Sequence, residues 1–235
     1  MPSVVRPSTP CELVYPESDG QPMADNTLQF AWIVTIQGGL DALFHVDPNV
    51  FVAGDLLWYP VEGNPRIRMA PDVLVVFGRP KGHRGSYLQW REGHIPPQVV
   101  FEVLSPSNTP AEMRRKQRFY NRYGVEEYYI YDPDRGTLAG LLRQGMRLRR
   151  LPSMHGWVSP RLRVRFELEG GELQLYGPDR QRFLSYVELA QQATQAAQQA
   201  VQAEQRAAQA EQRASQLAAR LRALGVDPDR DEPEG

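Results

Sequence analysis

Two acidic residues and a lysine are the side chains whose types and spacing could do chemistry in this sequence. Asp72 opens the apolar run 73–76, Glu102 lies inside the apolar run 99–104, and Lys116 follows on a predicted helix. An unpaired carboxylate in a buried strand is costly, so something must offset that cost. A divalent metal between the two acids, with the lysine beside it, would do so and would assemble a site that cleaves phosphodiester bonds.

Glu102 carries most of this interpretation. Side chains alternate between the two faces of a strand, so Glu102 points the same way as Val100 and Leu104. A half-exposed strand would have polar neighbours at those positions, and these are apolar. For Asp72 a turn or cap role is an equal alternative, and Lys116 taken alone would be an ordinary surface lysine.

The elements around these residues predict one mixed sheet with helices. A helix is predicted over 25–44, weakened at Gly38-Gly39, and a second begins after the Thr109 cap with Pro110 at its first position. The predicted strands are 50–59, 71–77, 98–104, 125–131, 137–143, 147–151 and 162–168. The short segment 105–108 lets the second helix fold back and deliver Lys116 to the acids. The fold class is therefore α/β, or α+β with a mixed sheet.

Composition bounds the class of protein. The 235 residues are 41% hydrophobic, enough for one sizeable core with an extension. A net charge of -1 excludes a general coat for nucleic acid, so such binding needs a local patch, and 112–165 is rich in arginine. A solvated surface is the equal alternative. The single cysteine, Cys11, excludes an internal disulfide, and without a membrane-spanning run or secretory signal we expect a cytoplasmic protein.

The end of the chain is of another kind. From about residue 186 alanine, glutamine, glutamate and arginine dominate, and alanine and leucine recur in steps of four and three from Leu189 to Leu224. This heptad pattern predicts a coiled coil that joins two copies or another partner; a single isolated helix is the alternative. We expect a flexible arm at 1–20, a nuclease domain at 21–182, a coiled-coil helix at 183–225 and a disordered acidic tail at 226–235.

Several of these segments together resemble a known family. They are Pro71-Asp72, Glu102 to Ser107, Lys116 with Tyr120, Gly124-Val125, and Tyr129 to Pro133. In this order they look like the Uma-two family, a branch of the PD-(D/E)XK nuclease superfamily, over about residues 12–180. The resemblance implies a restriction-endonuclease-like core and DNA as substrate.

The resemblance also implies roles for single residues. Asp72 and Glu102, with the Val103 carbonyl, would bind magnesium, or manganese in its place, and Lys116 would take the lysine role. The superfamily motif has its lysine two residues after the second acid, where this chain has Leu104. Asp25 is a weakly matched accessory acid.

Chemically, Lys116 would orient or deprotonate the attacking water and offset developing charge. Tyr120 would steady the site or a phosphate, and a core tyrosine without a role is the alternative. Segment 78–97 has basic and aromatic side chains that suit a nucleic-acid rim, and a plain surface hairpin is an equal interpretation.

Three functions remain open at this point. The first is a magnesium-dependent DNA endonuclease that acts as a coiled-coil homodimer. The second is an inactive nuclease fold that docks partners through its coiled coil, which the balanced charge and the displaced lysine favour. The third is a hydrolase acting on RNA or a nucleotide, because the same site would serve.

Overall fold

The computed structural model describes residues 13–225. Two compact units divide the chain, Met1–Ser185 and Tyr186–Gly235. Cys11, the first twelve residues of the predicted arm and the predicted acidic tail lie outside the described residues. No helix within 13–225 is both long and apolar enough to cross a membrane.

The first unit contains two helices, α1 (Thr27–Leu43) and α2 (Pro110–Arg122), and the second is formed by α3 (Tyr186–Ala223). Asn26 caps α1 by accepting a hydrogen bond from the Gln29 backbone N–H. The helix runs unbroken through Gly38-Gly39, where we expected a weakness. The reason is packing, because the ring of Phe183 lies where a Cβ on Gly39 would be.

The strands of the first unit form a large mixed sheet and two small sheets. They are β1 Val50–Gly54, β2 Trp58–Tyr59, β3 Val73–Phe77, β4 Tyr87–Leu88, β5 Val99–Val103, β6 Glu127–Asp132, β7 Thr137–Gln144, β8 Arg147–Arg150, β9 Trp157–Val158, β10 Arg165–Glu169 and β11 Glu172–Tyr176. The large sheet has the order β1-β3-β5-β6-β7-β8, and the small ones are β11-β10-β9 and β2-β4. In the large sheet β5 and β6 are parallel because α2 forms the crossover between them, and the other pairs are antiparallel. The predicted α/β class with a mixed sheet is confirmed.

The two faces of the large sheet are covered differently. Val73, Val75 and Phe101 face a core shared with α1 and the sheet β9–β11. Leu74 and Val100 face a second core that includes side chains of α2. Strand alternation therefore turns residue 102 toward α2.

The single strand predicted over 50–59 is wrong. The chain leaves β1 at Gly54 and bends at Asp55, whose φ of 48° no strand tolerates, before the short β2. Strand β10 overlaps the strand predicted over 162–168, but β11 was missed, although the turn Gly170-Gly171, with positive φ at both residues, is typical of a hairpin.

Residues 13–17 make specific contacts with the first unit, although we expected residues 1–20 to form a flexible arm. The ring of Tyr15 packs against Tyr59 and Trp90, at centroid distances of 5.3 and 4.9 Å. Its hydroxyl accepts a hydrogen bond from the Gly63 N–H, and Tyr59 Oη donates to the Pro16 carbonyl.

Candidate active site

Asp72 immediately precedes β3, a strand that pairs with β5. Its side chain is buried, with the residue 8% exposed. The antiparallel register pairs Val73 with Phe101. Asp72 is therefore beside the end of β5, and its Oδ2 accepts a hydrogen bond of 2.6 Å from the Val103 N–H.

Glu102 forms hydrogen bonds with two other residues of the site. It lies in β5 with only 2% of its surface exposed. Its Oε2 accepts from Lys116 Nζ at 2.6 Å, and its Oε1 accepts from the Tyr120 hydroxyl. Lys116 and Tyr120 are one turn apart on α2, so both face the sheet from the same side of the helix. The helix thus delivers the ammonium to Glu102, as the short 105–108 segment predicts.

The charges of this cluster are strongly coupled. Burial raises the pKa of Asp72 well above its ordinary value, and the negative charge of Glu102 raises it further, while Lys116 and the Val103 N–H oppose both. Burial alone would lower the pKa of Lys116, but Glu102 and Asp72 outweigh it and the pKa is raised. Lys116 is therefore an ammonium ion, and it faces two carboxyl groups.

Tyr120 is fully buried, and burial together with the charge of Glu102 raises the pKa of its hydroxyl well above 10. The hydroxyl therefore keeps its proton and donates a hydrogen bond to Glu102. Because no part of its side chain reaches solvent, it cannot contact a phosphate. Of the roles considered from the sequence, only steadying the site or packing in the core is compatible with this position.

α2 is held at both ends. Thr109 accepts from the Glu112 N–H at 3.2 Å, which confirms the predicted cap. Beyond the other end, Arg143 of β7 donates from Nε to the Val125 carbonyl at 2.7 Å and from Nη2 to the Asn121 carbonyl at 2.8 Å. A cation at the helix C-terminus also complements the helix dipole.

Asp25 lies at the same cleft and is bonded to the loop after β5. Its carboxylate accepts from the hydroxyls of Ser105, at 2.6 Å, and Ser107, and these bonds lower its pKa. Its N–H donates to Gln29 Oε1, while Gln29 Nε2 donates to the Val103 carbonyl at 2.8 Å. The predicted carbonyl ligand of a metal thus already accepts one hydrogen bond from α1.

Two residues of this region were missed from the sequence. Gln29 is buried, yet it looks like part of the polar face of a helix. Asp55 follows the apolar β1 directly, which is the signal that could have revealed it. Its N–H donates to the Asp72 carbonyl at 3.1 Å, and burial, with the nearby Asp19, raises its pKa.

These residues line an open polar cleft of about 590 Å³. Both acidic and basic side chains line its wall. The acids are Asp19, Asp25, Asp55, Asp72 and Glu112, and the cations are Arg66, Arg68, Arg115 and Lys116. Such a cleft can hold a cation and an anion side by side.

Three basic side chains of segment 78–97, which one interpretation expected at a nucleic-acid rim, are already engaged in ion pairs. Arg79 and Arg84 both pair with Glu92, at 2.8 and 2.7 Å, and Lys81 pairs with Asp41 at 3.0 Å. The ring of Tyr87 is buried in the core. These ion pairs favour the alternative, a structural surface segment.

Comparisons with known proteins agree with this picture. Residues 34–175 match the Uma2 family, described as "putative restriction endonuclease". A crystal structure of a putative nuclease belonging to DUF820 from Anabaena variabilis is similar, with a TM-score of 0.43 and 14% identity over 57% of this chain and 72% of that one. No curated protein matches the chain. The core is restriction-endonuclease-like, as the resemblance implied.

Proposed function

The chain belongs to the Uma2 family, and on that premise we propose that it is a metal-dependent endonuclease that hydrolyses phosphodiester bonds of DNA. The observation that carries the proposal is the cluster of Asp72, Glu102 and Lys116: Asp72 and Lys116 line the polar cleft, and Glu102 is buried and bonded to Lys116. Lys116 Nζ lies 2.6 Å from Glu102, and Asp72 is bonded to the residue that follows Glu102. Two buried acids and one ammonium suit a divalent cation beside a phosphate.

The residues present fit a magnesium ion. Asp72 Oδ1 accepts no hydrogen bond from residues 13–225, and Asp72 lines the cleft. Burial raises the pKa of Asp72 and the negative charge of Glu102 raises it further, and a bound cation would compensate that negative charge. Asp72 and Glu102 would hold the ion with the second lone pair of the Val103 carbonyl. Within the described residues no three Asp, Glu, His or Cys side chains are placed to share one metal ion, so water would complete the shell, as magnesium prefers.

A bound magnesium or manganese ion would lower the pKa of a water molecule and stabilise charge on the phosphate. The attacking water would release one proton to solvent and its oxygen would form a bond to phosphorus as the bond to the leaving sugar oxygen breaks; the leaving oxygen would take a proton from solvent. Because two acids keep Lys116 protonated, it stabilises the negative phosphate and does not accept the proton of the water. A protonated Lys116 is compatible with orienting the water and with offsetting developing charge, and it is not compatible with deprotonating the water.

Two further residues act as positioning residues in this proposal. Tyr120 holds Glu102 through its hydroxyl, and Asp25 holds the loop between β5 and α2 through Ser105 and Ser107. Asp55 also lines the cleft, and its backbone N–H donates to the Asp72 carbonyl.

We also propose that α3 joins two copies of the chain. No residue of α3 is buried, and its heptad positions Leu217 and Leu221 are 60% and 39% exposed. Pairing along this seam would cover them. Two joined copies would carry two clefts, one for each strand of a duplex.

The test is cleavage of supercoiled plasmid by the full chain with Mg²⁺ or Mn²⁺, beside an EDTA control. We expect Asp72→Asn and Glu102→Gln to abolish nicking. Glu127→Gln is the matched control, because Glu127 is a second buried glutamate, on the neighbouring strand β6, bonded to Ser159 instead of to the cleft. Nicking that survives in both site variants, or in EDTA, would overturn the proposal.

A further inference from the structure

A second basic surface lies outside the cleft, along the exposed side of α2. Arg115, Arg118 and Arg122 follow each other by three and four residues, so they share one face of the helix, and each is exposed. Arg147 of β8 lies across from them. We call the open depression between these four arginines the arginine groove; its volume is about 650 Å³.

The arginines of the groove differ from several other cations of the first unit. Within residues 13–225 none of the four forms an ion pair, whereas Arg79 and Arg84 share Glu92, and Arg161 pairs with Glu126. No acidic residue lines the groove. Four positive charges are therefore available to a partner, on a chain whose net charge is -1.

The groove continues into the candidate active site. Arg115 lines both the cleft and the groove, and the next residue, Lys116, carries the ammonium bonded to Glu102. The rise of 1.5 Å per residue puts about 10 Å between Arg115 and Arg122 along the helix axis. One strand of B-DNA has a phosphate about every 3.4 Å of axis, so this length matches about three steps of the backbone.

The floor of the groove is partly aromatic. Phe119 and Tyr123 lie between the arginines on the helix and pack on each other and on Trp58, with centroid distances from 4.6 to 6.3 Å. Such packing fixes the surface of α2 that carries the guanidinium groups. A guanidinium donates two parallel hydrogen bonds to a phosphate, which a lysine cannot do.

We infer that the arginine groove binds the phosphate backbone of duplex DNA next to the bond that is cut. This inference rests on the proposed function for its choice of duplex DNA. It adds a surface that sets the position of the duplex and contributes most of the salt-dependent affinity.

The experiment is fluorescence anisotropy with a labelled 20-base-pair duplex and the full chain, with Ca²⁺ in place of Mg²⁺, between 50 and 200 mM salt. The variant is Arg118→Ala with Arg122→Ala. The control is Lys81→Ala with Arg135→Ala, which removes the same charge from residues that already pair with Asp41 and Asp132. Each lost phosphate contact should reduce the slope of log affinity against log salt by about 0.9, so we expect a reduction of about 1.8 and a loss of affinity of tens of fold at 0.1 M salt.

The control pair should keep the wild-type slope. Arg118→Lys with Arg122→Lys should restore most of the slope, because charge is retained, and should bind more weakly than wild type, because the paired hydrogen bonds are lost. Unchanged slope and affinity in the alanine variant would overturn the inference. So would an equal loss in the control pair, or tighter arginine-dependent binding of a single-stranded RNA of the same length.

Failure of the proposed function would look different. If the wild-type chain binds the duplex through the groove but never nicks plasmid with Mg²⁺ or Mn²⁺, the proposed nuclease activity is refuted. The proposed binding of DNA by the arginine groove is then retained. A chain that nicks plasmid normally after loss of Arg118 and Arg122, and binds it as before, would refute the groove alone.

Discussion

Tyr120 and Tyr128 are neighbours with opposite hydrogen-bonding states, and removal of each hydroxyl should change stability in opposite directions. Both are fully buried, and their rings meet edge to face at 5.0 Å. The Tyr120 hydroxyl donates to Glu102. The Tyr128 hydroxyl is buried without a hydrogen-bond partner among the described residues. The two Tyr→Phe substitutions are therefore the same chemical change in two different environments.

The expected sizes follow from these partners. A hydrogen bond to a charged group contributes about 1.5–3 kcal/mol, so Tyr120→Phe should lower the free energy of unfolding by about 2 kcal/mol. Glu102 keeps its bond to Lys116, which limits the loss. A buried hydroxyl without a partner costs about 1–3 kcal/mol, so Tyr128→Phe should raise the free energy of unfolding by about 1 kcal/mol.

Urea unfolding followed by tryptophan fluorescence measures both effects. With a slope of about 2 kcal/mol per molar urea, the midpoint should fall by about 1 M for Tyr120→Phe and rise by about 0.5 M for Tyr128→Phe. Plasmid nicking should be unchanged in Tyr128→Phe. Midpoints that move together, or a Tyr120→Phe midpoint equal to that of wild type, would refute the assignment of the Glu102 bond as a stabilising contact.

Three further outcomes are expected. Because the folded-state pKa of Asp72 is raised, the folded chain holds a proton that the unfolded chain releases. The free energy of unfolding in EDTA should therefore fall as pH rises from the ordinary aspartate pKa through the folded-state pKa. The fall should be at most about 1.4 kcal/mol per pH unit. Asp72→Asn should remove this slope in urea titrations at pH 5 and pH 8 and be the more stable protein at pH 8, and a slope that persists would contradict the reasoning. Gly136→Ala should lower the free energy of unfolding by about 1–3 kcal/mol more than Gly145→Ala. Both residues have positive φ, but only at Gly136 would the new Cβ meet backbone, the Gly171 carbonyl oxygen at 2.7 Å. Equal shifts in the melting temperatures of the two variants would argue against this contact. Leu217→Lys should halve the mass seen by light scattering, since it puts a charge in the α3 seam, and a monomeric wild type would contradict pairing through α3.

The parts of the site that local sequence specifies could be predicted. Strand alternation among apolar neighbours identifies Glu102 as a candidate. A capping pattern and a short connecting segment identify Lys116. Both signals act over a few residues of sequence. The meeting of these side chains then follows from one crossover. The same reasoning recovers the first two helices and most of the large sheet.

The parts that depend on distant pairing could not be predicted. Asp55 reaches the cleft only because β1 pairs with β3 in one register, which its local pattern does not specify. Ion pairing is equally hidden. Arginines of 78–97 and of α2 look alike in the sequence, but Arg79 and Arg84 find Glu92 while Arg118 and Arg122 find no acid within the described residues.

Under the proposed nuclease function, the anchoring of α2 by Arg143 bears on when the chain would become able to cut DNA. Asp72, Glu102 and Lys116 leave the ribosome before Arg143, whose bonds fix the end of the helix that carries the ammonium. We therefore expect an unfinished chain to lack a fixed ammonium until β7 has been made and has paired with β6. The order of synthesis would therefore prevent incomplete chains from cutting the DNA of the cell that makes them.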